Sequence, residues 1–154
     1  MSHDPDGPRF EAVGAEATRA LGARFGAAVI NSPVAARTPL LVTLAGDLGA
    51  GKTTLVGGML QAFGHAGPAR SPTYTLIEPY QFGAREVQHC DLYRLRHPDE
   101  LEDLGLRDLR KPGALLLVEW PEKAEGRLGA ADLSIRLGYQ GPEARTVEFA
   151  ALSE

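Results

Sequence analysis

One segment of the chain has the residue types and the spacing of a phosphate-binding loop. The run Gly46-Asp-Leu-Gly-Ala-Gly-Lys-Thr53 matches the pattern G-x-x-x-x-G-K-[S/T]. Glycines let the backbone wrap so that successive N–H groups point into one concavity, and the N-terminus of a following helix adds the positive end of its dipole. An anionic polyphosphate fits such a concavity, and a chance glycine-rich turn is the plainer alternative.

The positions of this loop have separate expected roles toward a nucleotide. Lys52 would reach the terminal phosphates, and the Thr53 hydroxyl would ligate a Mg²⁺ ion that keeps water and phosphate oxygens as its other ligands. Thr54 would be a supporting donor. The predicted cofactor-binding residues of the loop are Asp47, Leu48, Gly49, Ala50, Gly51, Lys52, Thr53 and Thr54.

Two acidic residues end predicted strands and are candidates for work beside the phosphates, where a metal and an attacking nucleophile must both be held. Glu119 follows the apolar run 114–118, and Asp91 closes the run 86–91. We predict that Glu119 is a metal ligand, directly or through water, and that Asp91 orients water or holds the metal's water shell. The alternatives are a solvated strand-end acid for Glu119, and for Asp91 an ion pair with Arg94 or the capping of a turn.

Other polar and aromatic residues allow two interpretations each. The hydroxyls of Ser71-Pro-Thr-Tyr74 would approach the γ-phosphate as switch segments do, or the segment simply starts a strand over residues 73–80. Trp120 would stack on a base or pack beneath the sheet edge. His89 alternates with Val87, which indicates a half-buried strand position rather than a catalytic one.

The elements around the loop are the ones that its mechanism needs. The run Leu40–Ala45 predicts a strand buried on both faces, and Lys52–Phe63 predicts a helix directly after the loop. Apolar residues at three- and four-residue spacings predict a further helix over residues 16–30. The remaining predicted elements are a loop between Pro33 and Pro39, a short helix over residues 97–104 and a closing hairpin from the strands at 132–138 and 145–150.

Together these elements predict one α/β domain, a three-layer P-loop NTPase fold with a mixed central β-sheet. We expect parallel strands around residues 40–45 and 114–118, and antiparallel hairpins elsewhere. The domain should occupy residues 10–152, after a flexible N-terminal tail of residues 1–9 that is rich in Asp, Pro and Gly.

Composition excludes several classes of protein. The 154 residues carry a formal net charge of -4, which argues against independent binding of DNA or RNA, because such proteins usually present a net basic face. The single cysteine, Cys90, excludes an internal disulfide and is predicted to be a small core residue. No apolar run approaches the roughly 18 residues of a membrane span, so we expect a cytoplasmic protein without a membrane segment.

Four motifs, in this order and spacing, resemble the TsaE family, also called YjeE, of bacterial P-loop ATPases in the tRNA threonylcarbamoyladenosine pathway. The motifs are Gly46-Asp-Leu-Gly-Ala-Gly-Lys-Thr-Thr54, Ser71-Pro-Thr-Tyr-Thr-Leu76, Asp91-Leu-Tyr-Arg-Leu95 and Glu119-Trp-Pro121. The resemblance spans about residues 10–150. Four ordered motifs are far more specific than the phosphate-binding loop alone.

The resemblance implies binding of ATP or ADP with Mg²⁺ and weak ATP hydrolysis by the protein alone. It also implies action with the proteins TsaD and TsaB, which make the modification beside the anticodon, so that tRNA is reached only indirectly through them. Acting through partners agrees with the acidic net charge.

The resemblance also assigns roles to single positions. These are Lys52 for the phosphates, Thr53 and Glu119 for the metal, Asp91 for hydrolysis, Thr73 in a switch-like segment and Trp120 close to the nucleotide. The predicted catalytic residues are therefore Asp91, Lys52 and Thr73. Ala69 and Cys90 stand where the family usually has larger apolar residues, and both are interpreted as packing changes.

Two other nucleotide-binding classes compete with this interpretation. A small-molecule P-loop kinase needs an acceptor pocket and usually a lid with several arginines, whereas the arginines of this chain are scattered. A guanine-nucleotide switch needs an Asn/Thr-Lys-x-Asp element, but Lys111 is followed by Pro-Gly and Lys123 by Ala-Glu. A clear preference for Mg-GTP over Mg-ATP in competition binding would favour the guanine-nucleotide class.

Overall fold

The structure is a computed structural model that describes residues 2–3, 7–69 and 76–153. Its strands are β1 (Ser2–His3), β2 (Arg9–Val13), β3 (Leu40–Ala45), β4 (Ile77–Phe82), β5 (Arg85–Asp91), β6 (Ala114–Glu119), β7 (Leu133–Tyr139) and β8 (Ala144–Ser153). Its helices are α1 (Gly14–Ile30), α2 (Pro33–Arg37), α3 (Lys52–Phe63), α4 (Glu100–Asp103) and α5 (Leu106–Leu109), with a 3₁₀ turn at Pro121–Ala124.

The strands form one mixed sheet in the order β1-β8-β7-β3-β6-β5-β4, and β2 also pairs with β8. The four central strands β7, β3, β6 and β5 are parallel, while the strands outside them pair in the antiparallel sense. Parallel strands end at the same edge of a sheet. The loop after β3 and the acids Asp91 and Glu119 therefore meet at one edge, and these two acids are opposite each other in register.

The sheet is covered on both faces, which makes three layers. Helices α1 and α3 pack on one face, and α4, α5 and the 3₁₀ turn pack on the other. Alternate residues of the central strands divide between the two cores. The first core includes Val42, Leu44, Leu115 and Leu117, and the second includes Leu41, Cys90, Leu116 and Val118. The predicted three-layer α/β fold with a mixed sheet is confirmed.

Helices α1 and α3 approach each other closely through glycines. A Cβ atom on Gly22 would lie 2.1 Å from the Leu55 carbonyl oxygen, and one on Gly58 would lie 1.9 Å from the Arg19 carbonyl oxygen. Neither backbone could stay in place with a larger residue at these positions. The contact fixes α3, and with it the residues at its N-terminus, relative to the sheet.

Some sequence-based expectations differ from the structure. The loop expected between Pro33 and Pro39 contains helix α2, because the Ser32 hydroxyl accepts a hydrogen bond from Ala35 N–H at 3.2 Å and proline is favoured in the first turn. More strands pair in parallel than expected. Besides β3 and β6, the strands β5 and β7 each have a parallel neighbour on one side and an antiparallel hairpin partner on the other.

The N-terminal boundary of the domain stays a prediction. Residues 2–3 pair with the end of β8, and Arg9 begins β2, which runs antiparallel to β8. None of the helices in the described ranges has the length and hydropathy needed to cross a membrane.

Candidate phosphate-binding site

The loop between β3 and α3 has the conformation that its glycines permit. Gly51 has φ +105° and ψ 15°, a left-handed conformation that L side chains rarely adopt, and it is the residue before the first turn of α3. The following residues, Lys52 and Thr53, therefore begin the helix at the C-terminal edge of the sheet. The predicted strand, loop and helix are confirmed as a continuous unit.

Lys52 is folded over its own loop and is only 5% exposed. Its Nζ donates to the Gly46 carbonyl and, at 3.2 Å, to the Asp47 carbonyl, and it lies 4.0 Å from the centroid of the Trp120 ring. Burial lowers the pKa of Lys52, while nearby carboxylates, led by Glu119, raise it. An arriving phosphate would replace neutral carbonyl acceptors with a charged one, which is a stronger partner for an ammonium group.

Thr53, at the start of α3, contacts a buried pair formed by Glu119 and His89. Thr53 Oγ1 donates to Glu119 Oε2 at 3.2 Å, and His89 Nε2 lies 2.5 Å from the same Oε2. His89 is fully buried and Glu119 is 2% exposed. His89 Nδ1 is buried and has no hydrogen-bond partner within the described residues. Glu119 is thus held between helix α3 and β5, rather than solvated.

Asp91 ends β5 and holds the turn that follows it. Its Oδ1 accepts a hydrogen bond from Tyr93 N–H at 3.0 Å, and its own N–H donates to the Leu76 carbonyl at 2.9 Å. Burial raises the pKa of Asp91, while the hydrogen bond from Tyr93 lowers it. The turn-capping alternative is present in the structure, and a role in hydrolysis remains a prediction.

Trp120 connects the loop to the second core. Its backbone is left-handed, with φ 58° and ψ 51°, which costs on the order of 1 kcal/mol for a residue other than glycine. The centroid of the Trp120 ring lies 5.0 Å from that of the Tyr93 ring and 4.0 Å from the Lys52 ammonium. The left-handed turn brings the indole under the loop directly after Glu119. Packing at the sheet edge is confirmed, and stacking on a base stays a prediction.

Comparison with known proteins decides the family. The family model described as "Threonylcarbamoyl adenosine biosynthesis protein TsaE" matches residues 13–147 of the chain. The chain belongs to the TsaE family. This confirms the resemblance drawn from the four motifs.

Individual TsaE proteins are similar over most of the chain. The tRNA threonylcarbamoyladenosine biosynthesis protein TsaE of Haemophilus influenzae is 48% identical over 112 residues, 73% of this chain and 70% of that protein. The Bacillus subtilis protein of the same name is 38% identical over the same shares. A crystal structure of Bacillus subtilis YdiB matches with a TM-score of 0.71 and 27% identity, covering 99% of this chain and 89% of the other.

The donor set in this TsaE family member suits a Mg²⁺ ion that arrives with a nucleotide. No group of three or more His, Cys, Asp or Glu side chains suited to a metal occurs in the described ranges. Thr53 and Glu119 supply one hydroxyl and one carboxylate at 3.2 Å from each other. Mg²⁺ binds through few protein oxygens and fills its remaining positions with water and phosphate. These two residues therefore fit the expected metal, with phosphate oxygens as the further ligands.

The remaining predicted residues fall into two groups. In the loop, Leu48 is 69% exposed and Ala50 is fully buried, while Thr54 lies one residue further along α3. Thr73 and the rest of the Ser71-Pro-Thr-Tyr74 segment lie outside the described residues. Their expected switch-like role stays a prediction.

Sequence reasoning missed three residues around the TsaE site. His89 was interpreted as a half-buried strand residue, whereas it is fully buried against Glu119. Its parity with Asp91 on β5 was the available signal, because residues two apart share a face of the sheet. Tyr139 and Arg145 contact the loop from outside, and no local pattern pointed to them.

Proposed function

We propose that this protein binds ATP or ADP together with Mg²⁺, hydrolyses ATP slowly, and serves as an accessory protein in threonylcarbamoyladenosine modification of tRNA. One observation carries the proposal most directly. In a TsaE family member, Thr53 at the start of the P-loop helix donates to the buried Glu119 at 3.2 Å, beside the cationic Lys52. A hydroxyl, a carboxylate and an ammonium group at one helix N-terminus are the groups that Mg-nucleotide binding requires.

Catalysis of ATP hydrolysis by this site would depend mainly on positioning and electrostatics. The Lys52 ammonium would leave the carbonyls of Gly46 and Asp47 for the phosphate oxygens, and its positive charge would stabilise the charge that develops on them. Asp91, at the end of β5, would orient the attacking water. Mg²⁺, when bound, supplies further neutralisation of phosphate charge.

We further propose that the protein acts with TsaD and TsaB and reaches tRNA only through them. The net charge of -4 supports this arrangement, because independent binding of a tRNA backbone needs a basic surface that neutralises phosphates. The small domain would then supply the nucleotide cycle, and the partners would supply the transfer of the threonylcarbamoyl group. The names of the relatives support the pathway, and TsaD and TsaB come from the family resemblance.

Substitution of the P-loop lysine tests the proposal at the site and in the cell. Lys52→Ala should weaken Mg-ATP binding by at least about 10-fold in calorimetry, because it removes a charge-assisted contact to the phosphates. Cells that depend on this gene should then lose threonylcarbamoyladenosine from their tRNA, measured by nucleoside mass spectrometry.

Lys111→Ala provides the matched control, because Lys111 lies in the turn before β6, at the opposite end of that strand from Glu119, and its ammonium is 3.9 Å from the Glu86 carboxylate. It should leave both measurements unchanged. Unaltered threonylcarbamoyladenosine in cells without the protein would defeat the proposed pathway, and preferred binding of Mg-GTP would defeat the proposed nucleotide.

A further inference from the structure

The β7–β8 hairpin contacts the outer side of the phosphate-binding loop, more than 90 residues away in sequence. Tyr139 and Arg145 are register partners at the end of the hairpin. The Tyr139 hydroxyl donates to the Leu48 carbonyl at 2.8 Å, and Arg145 Nη2 donates to the Gly49 carbonyl at 3.5 Å. The Arg145 guanidinium also lies 4.3 Å from the centroid of the Tyr139 ring. We call these two side chains the hairpin clamp.

The clamp acts on the carbonyl side of the loop's peptide groups. In a trans peptide the C=O and the next residue's N–H point in opposite directions. A donor that holds the Leu48 carbonyl outward therefore holds the Gly49 N–H inward, toward the concavity where phosphate oxygens would bind. The Gly49 carbonyl is likewise held outward, while the Ala50 N–H of the same peptide group closes the turn onto the Asp47 carbonyl at 3.0 Å.

The fit between hairpin and loop is close. A Cβ atom on Gly49 would lie 2.7 Å from the Tyr139 hydroxyl, and Gly49 has φ +82°. A residue larger than glycine at position 49 would therefore clash with the Tyr139 hydroxyl. The Tyr139 side chain is nevertheless half exposed, and it belongs to neither hydrophobic core. The Tyr139 hydroxyl therefore contacts the loop, whereas the Tyr139 side chain does not contribute to either hydrophobic core.

We propose that Tyr139 and Arg145 are positioning residues of the nucleotide site, which orient the peptide groups of the loop for the β- and γ-phosphates of the ligand. This rests on the proposed function, since it assumes that the loop binds a polyphosphate. It deepens that function by assigning to the hairpin the orientation of the loop. Because the clamp contacts carbonyls of the loop and not the ligand, its effect should extend to any ligand that binds the N–H groups of the loop.

Two substitutions remove the clamp contacts with little change of shape. Tyr139→Phe loses only the hydroxyl, and Arg145→Met loses the guanidinium. Tyr139→Phe should weaken binding of Mg-ATP, Mg-ADP and Mg-pyrophosphate by a similar factor, about fivefold, because a net hydrogen bond to a loop carbonyl is lost. Arg145→Met should weaken all three by a smaller factor, because its contact with the Gly49 carbonyl is longer, at 3.5 Å. The double variant should show less than the product of the two factors, since the side chains contact each other. The matched control is Arg9→Met on β2, where the exposed Arg9 pairs with Glu148 at 3.7 Å, and this variant should bind like the unaltered protein.

Hydrogen exchange gives a readout that does not need a nucleotide. In the ligand-free protein, Tyr139→Phe should speed exchange of the backbone amides of residues 46–51 several-fold, while α1 and the central strands keep their protection. If the unaltered protein binds no nucleotide but the loop amides respond to Tyr139→Phe, the proposed function fails and the clamp itself stands.

Three results would overturn the clamp. The first is unchanged affinity together with unchanged exchange in Tyr139→Phe. The second is a loss of ATP affinity without any loss for pyrophosphate, which would mean that Tyr139 contacts the nucleoside. The third is weaker binding with unchanged exchange of the loop amides, which would mean that the hydroxyl contacts the ligand itself.

Discussion

At the scale of single residues, the site depends on a carboxylate that is shared by two neighbours. Glu119 Oε2 lies 3.2 Å from Thr53 Oγ1 and 2.5 Å from His89 Nε2. A buried carboxylate without hydrogen-bond donors is strongly destabilising. His89 therefore has two effects, since it satisfies Glu119 and holds that carboxylate where Thr53 reaches it.

Replacement of His89 separates these effects from simple packing. His89→Phe should lower the free energy of unfolding by about 3 kcal/mol, because it removes a donor from a buried carboxylate. His89→Gln should recover part of the loss, since its amide nitrogen can reach a position close to that of the imidazole Nε2. Urea denaturation measures both changes. Equal stability of His89→Phe and the unaltered protein would show that Glu119 does not need this partner.

Asp91 gives a second prediction at this scale, one that concerns turnover rather than binding. Asp91→Ala should bind Mg-ATP with affinity within about threefold of the unaltered protein and lose at least about 10-fold in the rate of hydrolysis. The rate is measured as phosphate release with the proposed partners TsaD and TsaB present. Because Asp91 also caps a turn, Asp91→Asn serves as the control, since its side-chain oxygen can still accept from Tyr93 N–H. Normal turnover in both variants would remove Asp91 from the mechanism.

At the scale of elements, the position of the P-loop helix depends on its contact with α1. Two glycines, Gly22 and Gly58, bring the helix backbones together, and the approach leaves no room for a Cβ atom. The helix is therefore placed by backbone contact and by its core residues Leu55, Met59 and Leu60 together. Hydrophobic packing alone would allow a wider range of positions for Lys52 and Thr53.

Adjacent glycines in α3 test this contact with a matched pair. Gly58→Ala should lower the free energy of unfolding by about 2 kcal/mol, because the new Cβ would clash with the Arg19 carbonyl. Gly57→Ala should be neutral or stabilising by up to about 1 kcal/mol, since its Cβ would meet Ala69 atoms at the ordinary distances of 3.7 and 3.8 Å among the described residues, and alanine favours the helix. The urea midpoints of the two variants measure these changes in stability. Equal midpoints would show that α1 and α3 can move apart without loss of stability.

At the scale of the whole molecule, the two hydrophobic cores lie on opposite faces of one sheet. We therefore expect solvent to reach a residue in either core only when the whole domain unfolds. Cys90 illustrates this, because it is fully buried in the second core between the sheet and the short helices. Burial raises the pKa of the Cys90 thiol to about 12. The thiolate form is therefore disfavoured in the folded protein throughout the neutral and mildly alkaline range.

Alkylation of Cys90 should report unfolding of the whole domain. At pH 8.5, iodoacetamide should leave the native protein unmodified for hours and should modify it within minutes in urea, as followed by mass spectrometry. The folded pKa is raised, so the thiol contributes stability below its unfolded pKa of 9.0, and that contribution is lost as the pH rises toward about 12. Rapid native modification would mean that the second core opens locally.

Local patterns predicted a large part of the fold and the site. The strand Leu40–Ala45, the glycine loop and the helix Lys52–Phe63 were all predicted, because their turn chemistry and apolar periodicity lie within a few residues of one another. The two strand-end acids were predicted for the same reason. Helix α2 was missed, although its Ser-Pro start was a local signal, because the two prolines suggested only a loop.

By itself, the sequence determined that this chain has the residue pattern of a phosphate-binding loop, that its acids end strands, and that it resembles the TsaE family. Only the tertiary structure decided which side chains meet. The contact of His89 with Glu119 depends on parallel pairing of β5 with β6, and that of Tyr139 with the loop depends on β7 lying beside β3. These contacts join residues 30 and 91 positions apart. Such pairs are selected by packing of the whole sheet, which no local spacing records.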